Sequence, residues 1–66
     1  MDKLKFLREQ LLQHTRNLNR LQEQLAIYGA GEQPLRLLNQ IEAEREKIEA
    51  IEAQLDLLSK DNLKST

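Results

Sequence analysis

The sequence predicts an all-α fold, an antiparallel two-helix coiled-coil hairpin, with dimerisation into a four-helix bundle as the simplest way to complete its core. Three observations lead there. Of 66 residues, 39% are hydrophobic and 32% charged, with no Val, Cys or Trp and a single Tyr, Phe and Met. Good helix formers such as Leu, Glu, Gln, Arg and Lys dominate, and residues that favour strands are scarce. Apolar residues recur at three-four spacing in both halves, the signature of coiled-coil a and d positions. A single break containing two Gly and one Pro separates the halves.

The first helix is expected over about residues 3–28. Asp2 suits its N-cap, because a carboxylate there can accept from the first free amides. The a positions are Leu4, Leu11, Leu18 and Leu25, and the d positions are Leu7, His14, Leu21 and Tyr28. At 1.5 Å per residue this helix is about 40 Å long.

Residues 29–33 form the turn. Gly29 follows the last seam residue, where a left-handed residue commonly closes a helix, and Gly31 marks the fold-back point. Pro34 suits the first turn of a new helix, where its missing amide would have no partner. A short link between two long amphipathic helices makes them antiparallel neighbours.

The second helix is expected over about residues 34–59, with a seam of Leu37, Ile41, Glu44, Ile48, Ile51, Leu55 and Leu58. Leu38, beside the seam, is the alternative to Leu37 near the turn. Folding back sets Leu25 opposite Leu37, Leu21 opposite Ile41, Leu11 opposite Ile51, Leu7 opposite Leu55 and Leu4 opposite Leu58. The polar tail, residues 60–66, is expected to be loose. Five basic and three acidic residues precede Gly29, whereas five basic and eight acidic residues follow Tyr28. The halves complement one another, which selects register more than it stabilises.

Several functions are excluded at this level. Without cysteine there is no disulfide framework, thiolate metal site or thiol nucleophile. One histidine cannot build a metal cage, no Gly-rich phosphate loop exists, and the expected cofactors are none. The longest apolar run, Leu25-Ala26-Ile27-Tyr28, is far short of the ~20 residues that span a bilayer. No basic leader opens the chain, so a cytoplasmic location without membrane contact is expected. A chain this small rarely encloses a pocket, and the expectation is a protein that is not an enzyme.

His14 is the only residue suited to acid–base work, and Glu44 lies on the facing seam within about one turn of it. The pair reads either as a pH-responsive contact or as a polar layer that fixes register, which is the commoner role of a polar a or d residue. Phe6, Leu12, Ala43, Ala50 and Leu57 lie outside the seam and widen the apolar surface beyond what two helices need. Cores below ~70–80 residues rarely supply more than 3–5 kcal/mol without staples or oligomerisation. These five residues are therefore the candidate oligomer face, and the expected partner is a second copy or a similar helical module. Lys5, Arg16 and Arg20 also raise an alternative, a small dimeric helical-hairpin RNA-binding regulator. An isoelectric point near 5.8 and the lack of an exposed aromatic platform weigh against nucleic acid.

Beyond these readings, Arg16-Asn17-Leu18-Asn19-Arg20-Leu21, then Tyr28-Gly29, Pro34-Leu35 and Leu38-Asn39-Gln40-Ile41-Glu42, carry a family likeness. Over about residues 4–58 the chain resembles the short helical-hairpin, effector-associated modules of multidomain bacterial signalling and defence proteins. The resemblance implies a non-catalytic adaptor that brings sensor and effector chains together through like-with-like helical contacts. Any activity would then reside in NTPase, protease-like, TIR or WD-repeat regions outside these residues.

Overall fold

The computed structural model describes residues 2–64, and side chains for residues 2–60. Two helices, α1 (Lys3–Ala26) and α2 (Leu35–Lys64), pack against each other as a hairpin. The rod measures 53 × 18 × 14 Å, one helix thick in its shortest direction.

Asp2 starts α1 from an extended conformation. The Leu4 amide donates to Asp2 Oδ1 at 3.1 Å, and the Phe6 amide donates to the Asp2 carbonyl at 3.1 Å. Removing such a cap costs about 1 kcal/mol. The helix ends two residues earlier than its apolar spacing predicts. Ile27 stays in the right-handed region, and the Ile27 and Tyr28 amides donate to the carbonyls of Gln24 and Leu25, at 3.3 and 3.1 Å. These i→i−3 bonds tighten the last turn and release the chain from the heptad.

The turn also departs from expectation. Neither glycine has a positive φ, so Gly29 is not a left-handed cap. The Glu32 amide instead donates to the Gly29 carbonyl at 2.9 Å, closing a four-residue turn without that conformation. A Cβ built on either glycine meets no atom within 4 Å. Gly29→Ala should therefore stabilise the hairpin by about 0.4–1 kcal/mol, by restricting the unfolded chain. A lower melting temperature in the variant would show that position 29 needs glycine after all.

Pro34 lies one residue before α2, where its carbonyl accepts from the Leu37 and Leu38 amides at 3.1 and 3.2 Å. It initiates the helix as expected, from the cap position. At the other end the backbone remains helical through Lys64, so residues 60–64 are not a loose tail. Nothing in Ser59-Lys60-Asp61-Asn62-Leu63-Lys64 breaks a helix, and Lys60 Nζ lies 3.2 Å from Asp56 Oδ2 one turn back. Residues 65 and 66 of the expected tail lie outside the described residues.

The core is thin. Among the described residues only Leu7, Leu37 and Ile41 fall to 6% exposure or less, and no side chain is fully buried. Leu37, rather than Leu38, enters the seam near the turn.

Candidate functional site

The seam is built by the inward stripe of each helix. On α1, Leu7 is buried and Leu4, Leu11, His14, Leu18, Leu21 and Leu25 are half-buried. On α2, Leu37 and Ile41 are buried and Glu44, Ile48, Ile51, Leu55 and Leu58 are half-buried. Tyr28 is the exception. With α1 closed at Ala26, the ring leaves the stripe and stands 44% exposed.

At the middle of the rod His14 and Glu44 meet across the seam, with Nδ1 and Oε2 2.7 Å apart. The side chains are 19% and 14% exposed, which shields the contact from most of the solvent. A carboxylate can only accept, so the ring nitrogen facing it is the donor. Among the described residues no other side-chain hydrogen bond reaches this pair. It forms a polar layer within the apolar seam. Among the described residues no group of three His, Asp or Glu side chains could hold a metal ion. Among the described residues no helix is long and apolar enough to cross a membrane.

The larger feature is apolar surface left in water. Phe6 and Leu57 are exposed at the open end of the hairpin, and Leu12 is exposed further along α1. Ala43 and Ala50 are exposed along α2. These five do not make one surface. Phe6 holds heptad position c on α1, and Ala43, Ala50 and Leu57 hold c on α2, whereas Leu12 holds b, on the opposite flank. A second patch escaped the apolar spacing argument. Around the turn Ile27 is 82% exposed, with Tyr28, Leu35 and Leu38 exposed beside it. Its signal in the sequence was the adjacency of large apolar residues to the Gly-Pro break, where no seam partner exists to cover them.

Shallow grooves run along both flanks. One, of about 370 Å³, is lined by Asn17, Arg20, Gln40, Ala43 and Lys47 above the seam residues Leu21 and Glu44. Lys3, Gln54 and Leu57 line its continuation at the open end. On the opposite flank Arg8, Glu52, Asp56 and Ser59 border Leu4, Leu11 and Leu55. All are open troughs suited to a side chain or a helix rather than an enclosed small molecule. No family model, curated protein or solved structure matches this chain.

Proposed function

We propose that the chain is a non-catalytic interaction and oligomerisation module, an adaptor that joins copies of itself or of a similar helical hairpin through coiled-coil contacts. One observation carries the reading: the hairpin leaves too much surface in water for a folded chain of its mass. It exposes 5410 Å², whereas a monomer of 7.7 kDa is expected to expose about 4,300 Å². The surplus, about 1,100 Å² per chain, would amount to roughly 2,200 Å² over two copies, the size of a permanent interface. The exposed Phe6, Ile27, Leu35 and Leu57 belong to this surplus. The resemblance to effector-associated modules, which pair like with like, leads to the same role.

Light scattering across a concentration series tests the proposal. The mass should exceed that of one chain at micromolar concentration and fall on dilution. Ala50→Glu, which sets a charge at an exposed small residue on the apolar stripe of α2, should shift the protein toward monomer. Glu23→Gln, at the outward f position of α1, should leave the mass unchanged. A single-chain mass throughout would reject self-association.

A further inference from the structure

We propose that the hairpins stack head to tail, with the basic flank of one copy against the carboxylate-bearing flank of the next. This rests on the self-association reading above and identifies the two faces that meet. In an antiparallel pair, positions c and g of both helices lie on one side of the seam and positions b and e on the other. The grooves follow this division, with Arg20 and Lys47 bordering one side and Glu52 and Asp56 the other.

The two sides differ in charge. Among the residues with described side chains, the c and g side carries Lys3, Arg20, Arg36 and Lys47 and no Asp or Glu. Its remaining polar residues are amides, among them Gln13, whose Nε2 donates to Asn17 Oδ1 at 3.3 Å. On the b and e side α2 presents Glu42, Glu49, Glu52 and Asp56 with Arg45, and α1 adds Lys5 and Arg8, so four carboxylates outnumber three cations there. These charges are exposed. The contacts His14–Glu44 and Asp56–Lys60 among the described residues do not engage Arg20, Lys47, Glu49 or Glu52.

A two-fold contact of the basic flank with itself would oppose cations to cations, a juxtaposition that interfaces avoid. A contact of the carboxylate-bearing flank with itself would leave Phe6 and Leu57 in water. Contact between unlike flanks pairs opposite charges and covers both apolar patches. The spacing of the residues supplies a register. Phe6, Gln13 and Arg20 fall at heptad intervals down α1, and Leu38, Arg45 and Glu52 do so down α2. Phe6 to Arg20 and Leu38 to Glu52 each cover two heptads, about 21 Å. Laying the two rows side by side in the same direction sets Phe6 beside Leu38, Gln13 beside Arg45 and Arg20 beside Glu52. No like charges are opposed along these rows, while Arg36 of the other copy falls near the level of Lys5. The turn end of one hairpin then lies over the open end of its neighbour. Because the joined faces are unlike, each added copy leaves one of each uncovered, and growth does not close at two.

Two exposed-site variants test the assignment. Phe6→Asp blocks one face and Leu38→Asp the other. Each alone should remain monomeric where the wild type gains mass, with helicity retained by circular dichroism. Mixed in equal amounts, they should form a 1:1 dimer that grows no further, because each supplies the face the other lacks. If either variant self-associates as firmly as the wild type, a like-with-like contact is at work and the proposal is overturned. Charge exchange gives a second test that does not depend on those variants folding. Arg20→Glu and Glu52→Arg should each raise the concentration needed for assembly about tenfold, and the double variant should recover most of that loss. A double variant no better than the singles overturns the stacking while leaving self-association intact. A wild type that stays monomeric overturns both readings. Monomers that bind duplex RNA through Arg20 would also overturn both, and would make the basic flank a phosphate-binding surface.

Discussion

Ile41→Ala is expected to remove about 2–5 kcal/mol of stability, most of what a two-helix core of this size can supply. Ile41 is 6% exposed and is one of only three buried side chains among the described residues. Truncation takes its methyl and methylene contacts out of the seam and leaves a void between helices that touch along one stripe. The loss should appear in urea unfolding followed by far-ultraviolet circular dichroism, at fixed protein concentration because assembly also stabilises the folded form. Leu57→Ala is the comparison. Leu57 is exposed, so its truncation should change the stability of a single hairpin by no more than about 0.5 kcal/mol, while weakening association. A loss under about 1 kcal/mol for Ile41→Ala would mean that intermolecular contacts, rather than this seam, hold the helices.

That contrast separates two tasks that share one chain. The seam holds α1 to α2, and its residues are the ones least exposed to water. In the proposed assembly the flanks would hold hairpin to hairpin, and their apolar residues stand in water in the single chain. A chain with so few buried side chains has little stability of its own to lose. Folding and assembly should therefore be linked, with the melting temperature rising as protein concentration rises.

The elements were legible in the sequence because their causes are local. Three-four spacing from Leu4 to Leu25 and from Leu37 to Leu58 dictates two amphipathic helices, and Gly29 to Pro34 can only separate them. The polar layer was legible too, since the fold-back brings Glu44 within a turn of His14. What escaped depends on backbone geometry that spacing does not encode. Tyr28 continues the pattern on paper, but the i→i−3 bonds at Ile27 and Tyr28 end the helix first and turn the ring into solvent. Gly29 suggested a left-handed cap, yet the bond from Glu32 to its carbonyl closes the turn without one. Polar composition after Ser59 suggested a loose tail, although no residue before Lys64 breaks the helix. The opposed character of the two flanks emerges only when the heptads of both helices are placed around one antiparallel seam.

His14→Leu combined with Glu44→Leu is expected to raise stability, whereas either substitution alone should lower it. The two side chains contact each other at 2.7 Å and are largely shielded from water. Replacing only His14 leaves a shielded carboxylate without its donor, a cost of about 1–3 kcal/mol before the new leucine is credited. Replacing only Glu44 leaves the ring nitrogen similarly unmatched. Replacing both makes the apolar stripe continuous from Leu4 to Leu25 on α1 and from Leu37 to Leu58 on α2. Such an exchange of an inward polar pair for apolar residues typically gains about 1–4 kcal/mol, and partial exposure places this pair toward the lower figure. The double-mutant cycle should therefore show a coupling of about 1 kcal/mol or more between the positions. The gain should come with a loss of uniqueness. With the polar layer gone, a slip of α2 along α1 by one heptad no longer buries Glu44 against leucine, so alternative registers and mixed masses become accessible. Sharp melting to a single species in the wild type, and a higher but broader transition in the double variant, would identify the pair as a register device. If His14→Leu alone matched the double variant in stability, the contact with Glu44 would contribute nothing, and this account of the polar layer would fail.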